Sequence, residues 1–346
     1  MAVRLTSLTD LDALGFDDII DARSPAEYAE DRVPGAMSLP VLDNDERARV
    51  GTIYVQQDPF TARKIGAALV ARNAAAHIEG PLAGRDGGWK PLVYCWRGGQ
   101  RSNSFASILS QIGWRADVLE GGYRTYRRLV VDMLHRDALP HRLMLIDGGT
   151  GSAKTRLLHH IGDSGGQVLD LEGHASHRGS LFGLVGGAQP SQKAFESGIA
   201  MTLARLDPSR PVFVEAESSK VGEVLVPPSL WKAMLAAPYV EISAPLTARA
   251  RHSVATYPDI VDDPERLAAT LDQLVCYHGR EVIGGWKELA AAGDWTALAE
   301  ALIGTHYDPR YKRIRREAEP EQVLNLDDLS DASLSATARD LVNTYG

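Results

Sequence analysis

Leu143-Met144-Leu145-Ile146-Asp147-Gly148-Gly149-Thr150-Gly151-Ser152-Ala153-Lys154-Thr155-Arg156-Leu157-Leu158 reads as a short apolar strand, a glycine-rich turn and the opening of a helix. An apolar run this short, bounded by turn residues, predicts a buried strand of a parallel sheet. Glycines in such a turn let successive N–H groups converge on phosphate oxygens, a following lysine neutralises the outer charge, and the next hydroxyl can hold a metal ion. Gly148 to Thr155 nearly meets the pattern G-x-x-x-x-G-K-[ST]. The departure is Ala153, whose methyl group is expected to stand close to bound phosphates. That disfavours ordinary nucleoside triphosphate hydrolysis and leaves recognition of a diphosphate, with magnesium permitted and no tightly bound cofactor expected.

On either side of this loop, short apolar strands alternate with helical stretches, the pattern of α/β domains. Strands are predicted at 143–146, 168–171, 212–215 and 239–242 after the junction, and at 17–20, 36–39, 92–95 and 116–119 before it. The expected division is a first domain over 1–128, a linker helix over 129–140, a phosphate-loop domain over 141–318, and an acidic tail over 319–346, read as helical and packed on the second domain. Glu215 and Glu217 follow the strand beginning at Val212, where a phosphate-loop fold places a carboxylate that coordinates metal or orients water. Strand alternation aims both the same way, so either is a candidate.

In the first block, Cys95 ends the strand Pro-Leu-Val-Tyr and precedes Trp96-Arg97-Gly98-Gly99-Gln100-Arg101-Ser102, after which a helix is predicted. A thiol there faces loop N–H groups and a helix N-terminus, with Arg97 and Arg101 nearby, and all of these favour a negatively charged sulfur and an oxyanion beside it. Cys276 lies in an apolar helical run and is expected in the core. The pattern Asp21-Ala22-Arg23-Ser24-Pro25-Ala26-Glu27-Tyr28, with Val33-Pro34-Gly35-Ala36 and the cysteine loop, resembles the rhodanese domain. The resemblance implies that Cys95 carries sulfur or selenium. The C-x5-R-[ST] length is also similar to that of cysteine-dependent phosphatases, so a phosphatase or a plain sulfurtransferase, with the phosphate-loop domain binding a regulatory nucleotide, stands as the alternative. Tyr94 replaces the histidine usual before a phosphatase cysteine.

The chain of 346 residues is 44% hydrophobic and 24% charged, with a formal charge of −8 and two cysteines. These values exclude a disordered chain, a uniformly basic coat and a disulfide framework, and they make a reducing, cytoplasmic compartment the expectation. No run of apolar residues is long enough to suggest a membrane span. Basic residues cluster instead. Arg124, Arg127 and Arg128 interleave with Tyr123 and Tyr126, and Arg310, Lys312, Arg313, Arg315 and Arg316 adjoin Tyr311, the residue types that grip phosphates and stack bases.

The second block adds Asp170-Leu171-Glu172-Gly173-His174-Ala175-Ser176-His177-Arg178-Gly179-Ser180, Gln189-Pro190-Ser191-Gln192, Glu215-Ala216-Glu217-Ser218-Ser219-Lys220 and Thr305-His306-Tyr307-Asp308-Pro309. With the cysteine and phosphate loops, these resemble the tRNA 2-selenouridine synthases over nearly the whole chain. The resemblance implies a rhodanese-like domain fused to a P-loop NTPase-like domain with a parallel sheet. It implies geranylation of wobble 2-thiouridine from geranyl diphosphate, then replacement of the geranylthio group by selenium from selenophosphate. Gly148, Gly149, Thr150, Gly151, Ser152, Ala153, Lys154 and Thr155, with Arg178, would hold the diphosphate; Cys95, Arg97 and Arg101 would handle selenophosphate; the basic clusters would hold tRNA. His174 and His177 lack a third ligand nearby and are read as pocket lining, with no metal site.

Overall fold

The computed structural model describes residues 2–183, 187–310 and 318–346. Lys312, Arg313, Arg315 and Arg316, expected to bind tRNA, lie outside the described residues. The chain forms two compact units, Met1–Ala138 with Pro190–Arg205, and Leu139–Gln189 with Leu206–Gly346.

The first unit holds β1 (Ala2–Val3), β2 (Asp18–Asp21), β3 (Met37–Ser38), β4 (Pro91–Tyr94) and β5 (Asp117–Leu119), all parallel, in the order β1-β5-β4-β2-β3. Every residue of β4 is buried, as expected of a central strand covered on both faces. Its core joins Ile20 and Val93 to Phe105, Leu109 and an edge-to-face pair of Trp89 and Trp114 with ring centroids 5.1 Å apart. Helix Pro25–Glu30 starts in a capping box between Ser24 and Glu27, which is why Ser-Pro-x-Glu recurs as a helix-start signal. Arg23 and Asp21 are 1% and 0% exposed and pair at 2.6 Å. Tyr94 donates to the same carboxylate at 2.7 Å. The Asp-x-Arg motif is thus a buried ion pair beneath the cysteine strand.

The expected linker helix is a continuation of helix Tyr123–Val131 through the π turn Asp132–Arg136, inside the first unit. The helix Gln192–Arg205, which falls in the second block by sequence, also belongs to this unit. Ser197 donates to Asp31 at 3.0 Å, and Arg127 pairs with Glu196.

The second unit is built on β6 (Leu143–Gly148), β7 (Gln167–Leu169), β8 (Val212–Glu215), β11 (Tyr239–Ser243) and β12 (Gln322–Asn325), parallel in the order β12-β11-β6-β8-β7, with β9 (Lys220–Val221) and β10 (Val224–Leu225) as a separate antiparallel hairpin. The acidic tail differs from the helix expected of it: it begins as β12, an edge strand, and only then becomes helix Asp331–Tyr345. Leu334, Ala338 and Leu341 of that helix share a core with Leu158 and Ile161 of helix Lys154–Asp163. Asp331 pairs with Arg156 at 2.6 Å. Helices Pro264–Asp272, Val275–Ala291 and Trp295–Leu302 carry a second core around Leu267, Trp286 and Leu298, and helix Leu246–Thr256 packs against the last of them. Cys276 is exposed, contrary to the expected core position, because it occupies the solvent side of its first helical turn. Among the described residues, no helix is long and apolar enough to cross a membrane.

Candidate functional site

Strand β6 occupies the centre of the second sheet, so its C-terminal end delivers the glycine loop to the crevice where ligands of parallel α/β sheets bind. Gly151, at φ 78°, is required by close approach: an added Cβ would stand 2.5 Å from Ser253 Oγ and 2.7 Å from the Arg249 carbonyl. Ala153 takes φ 63° and ψ 30°, the left-handed region where glycine is the usual residue. It also lines the cleft described below, beside Lys154 and Thr155. The residue is 6% exposed and belongs to the core with Ile146 and Leu157.

Lys154 Nζ donates to the Gly148 carbonyl at 2.9 Å, and Thr155 Oγ1 donates to Glu172 Oε2 at 2.7 Å. Glu172 reaches that position because Asp170 caps the short helix Leu171–Ala175, its side chain accepting from Gly173 N–H. Burial, then the neighbouring Glu217 carboxylate, pushes the Glu172 carboxyl up to about 8. Of the two expected acids, Glu217 lines the cleft. Glu215 is fully buried and accepts from Leu171 N–H at 3.1 Å, and burial raises its pKa well above the ordinary carboxylate value. The expected alternation fails because β8 ends at Glu215 and the chain turns, Glu217 N–H bonding to the Glu215 carbonyl at 2.9 Å.

The resulting cleft has a volume of about 640 Å³ and includes Lys154, Thr155, Glu172, Arg178, Glu217 and His252 among its walls. Arg178, expected as a phosphate contact, lines the cleft with its guanidinium paired to Asp259 at 2.9 Å and 4.7 Å from the Tyr257 ring centroid. Burial, then the Arg156 and Lys154 charges, lowers His252 to about 4, which keeps it neutral. His177 accepts from Gly179 N–H at 3.1 Å and so organises its own turn. A second cavity, narrow at about 90 Å³, opens beside the cleft and is walled by apolar side chains including Phe182, Ile260, Leu267, Trp295, Leu298 and Leu302. Thr150, Ser180, Ser253, Tyr257 and Tyr307 line both.

In the first unit, Cys95 follows β4 directly, as expected, but its side chain is 3% exposed and its Sγ lies 3.1 Å from Ser102 Oγ. The sulfur is therefore covered by the loop, where an open thiol was expected. Gly122, at φ 59°, permits this packing: a Cβ there would stand 2.2 Å from the Cys95 carbonyl. Arg101 does not turn to the sulfur either. It binds Glu27 at 2.7 and 3.3 Å, joining the loop to the capping box. Arg97 lines a cavity of about 670 Å³ with Trp96, Arg124, Arg128, Arg136 and Lys193.

The expected interleaving of arginine with stacking tyrosines is corrected in part. Arg124 and Arg128 are exposed, while Tyr123 and Tyr126 are buried and Arg127 is held by Glu196. A helix repeats every 3.6 residues, so positions three or four apart share a face: Tyr123 and Tyr126 turn inward while Arg124 and Arg128 turn outward. Arg310 folds back on His306, donating to its carbonyl at 3.0 Å, and covers the Tyr277 ring at 4.5 Å.

Sequence reasoning passed over Glu172, Tyr307 and Asp308 although their motifs were singled out. It had no signal for Arg249, His252 or Tyr257, which come from a helix without a motif.

A Rhodanese-like domain family model matches residues 6–129, and the model described as tRNA 2-selenouridine synthase AAA domain matches residues 141–274. The tRNA 2-selenouridine synthase of Nitrosomonas europaea is 37% identical over 70% of this chain and 64% of its own length. That of Aeromonas salmonicida is 37% identical over 71% and 67%, and one from Pseudomonas putida is 33% identical over 91% and 92%. The chain thus spans just under two thirds of the first of these relatives and most of the last. With both domain models in order along the sequence, and the cysteine loop and phosphate loop each formed, the chain belongs to the tRNA 2-selenouridine synthase family.

Proposed function

We propose that this protein is a cytoplasmic tRNA-modifying transferase that alkylates the sulfur of wobble 2-thiouridine with geranyl diphosphate and then installs selenium from selenophosphate. The observation that carries this reading is the shared rim: a cationic phosphate cleft and a narrow apolar cavity have five lining residues in common. A nucleoside triphosphate has no hydrocarbon to fill such a cavity. An allylic diphosphate has one charged end and one apolar end, joined at a single carbon.

Lys154 and the loop N–H groups hold the diphosphate and receive the negative charge as it leaves. Thr155, Glu172 and Glu217 are the residues that would hold a magnesium ion, whose chemistry would be to neutralise the same leaving group. Alkylation converts the thiocarbonyl into a carbon that can expel a thiol. Selenium of selenophosphate then attacks that carbon, geranylthiolate leaves, and water takes the phosphoryl group. Arg97, Arg124 and Arg128 suit selenophosphate and tRNA phosphates, and Cys95 at the base of the same loop is the thiol proposed to serve selenation.

The test is mass spectrometry of tRNA nucleosides after incubation with geranyl diphosphate and then with selenophosphate. Geranylated and then selenated uridine is expected. Release of phosphate from a phosphomonoester, with no modified uridine, would instead favour a phosphatase.

A further inference from the structure

Tyr257 and Tyr307 stand where the phosphate cleft meets the apolar cavity. Tyr257 ends helix Leu246–Thr256, and Tyr307 closes the π turn Ile303–Tyr307. Such turns widen a helix locally and often mark functional positions. The Tyr257 hydroxyl lies 2.8 Å from Ser180 Oγ. That of Tyr307 is buried beside it, near the same Ser180 side chain and the Leu181 backbone. Burial pushes the Tyr257 phenol up to about 12 and raises the Tyr307 phenol as well, so both remain protonated.

A donor whose diphosphate sits at Lys154 and whose hydrocarbon fills the apolar cavity places its C1 at the rim between them. The rim consists of Thr150, Ser180, Ser253, Tyr257 and Tyr307. Positive charge developing on carbon cannot be met by a hydroxyl proton, and a carboxylate in contact would itself be alkylated. An aromatic face can meet it, through the negative side of the ring quadrupole. The Tyr257 ring already accepts one cation, the Arg178 guanidinium at 4.7 Å.

We infer that Tyr257 and Tyr307 are catalytic residues whose rings stabilise the allylic cation formed at C1 of the donor. The inference rests on the reading of the cleft as the geranyl diphosphate site. The C1–O bond breaks with its electron pair leaving on the diphosphate, where Lys154 and the loop N–H groups meet the charge. A lone pair of the 2-thiouridine sulfur then forms the C1–S bond, and the N3 proton of the base passes to water.

The full-length chain, tRNA bearing 2-thiouridine, and two donors, geranyl diphosphate and 2-fluorogeranyl diphosphate, provide the test. Fluorine beside the allylic carbon slows ionisation. Tyr257→Leu and Tyr307→Leu are each expected to lower kcat by about 10- to 30-fold, with KM within about threefold, while the Phe variants keep most of the rate. The slowing caused by fluorine should be larger in the Leu variants than in the parent protein, which a merely structural tyrosine would not produce. Thermal melting checks that each variant folds. Phe variants as damaged as Leu, a change confined to KM, or an unaltered fluorine effect would overturn the assignment. A parent protein that forms no geranylated uridine would overturn the functional reading and this inference with it; a geranylating parent with fully active Leu variants would overturn this inference alone.

Discussion

Arg249 donates from Nε and Nη2 to the Thr150 carbonyl at 2.9 and 2.8 Å. The same guanidinium is held by Asp308 at 2.6 and 3.1 Å. The phosphate loop is thereby fixed from outside, by a helix and by the Thr-His-Tyr-Asp-Pro motif. Arg249→Ala is expected to weaken binding of inorganic diphosphate about tenfold by calorimetry, the worth of one or two net hydrogen bonds. Asp308→Asn should give a smaller loss in the same direction. Unchanged diphosphate affinity in both variants would mean that the loop holds its shape without them.

The two loops are expected to separate by substitution. Lys154→Ala should lower geranylation by about two orders of magnitude, the usual cost of removing a preorganised group at a developing negative charge. Cys95→Ser should spare geranylation and abolish selenation. Nucleoside mass spectrometry reads both products, and loss of both activities in a folded Cys95→Ser chain would contradict this division. Full selenation by that variant would make the covered cysteine a packing residue.

Stability should respond to pH through Glu172. Its folded pKa of about 8 lies above the ordinary glutamate value of 4.5. Between those values the folded chain keeps a proton that the unfolded chain has released, so stability from this group falls as pH rises through the window. Glu172→Gln removes that dependence. Its melting temperature relative to the parent should therefore increase from pH 5 to pH 8, and a constant difference across the range would show that Glu172 titrates normally.

Beneath the cysteine strand, Arg23 is enclosed with Asp21 and also donates to the Asp31 carbonyl at 2.5 Å. Arg23→Ala leaves Asp21 buried and uncompensated, at a cost of about 3–5 kcal/mol. Urea unfolding should show the first unit's transition at a much lower midpoint, with an unchanged slope. A shift below about 1 kcal/mol would show that water reaches Asp21 once the guanidinium is gone.

The amino-acid order determined the elements that depend on neighbours along the chain. The strand entering the glycine loop, the helix beginning at Lys154 and the capping box of Ser24 with Glu27 each rest on contacts a few residues apart, and those contacts are written in the local pattern. The same local logic marked Lys154, Thr155, Arg178 and Glu217 as cleft residues. What tertiary structure decided is where distant segments meet. Nothing near Arg249 announces that it will grip Thr150. Nothing near Tyr257 pairs it with Tyr307, and the tail gives no sign that residues 322–325 will complete the edge of a sheet. Burial was decided there too. The same loop that raised the expectation of an open thiol folds over Cys95, and the helix of Tyr123 and Tyr126 turns both rings inward. Local sequence sets backbone conformation over a few residues; which side chains lose water depends on surfaces that come together only when the whole chain packs.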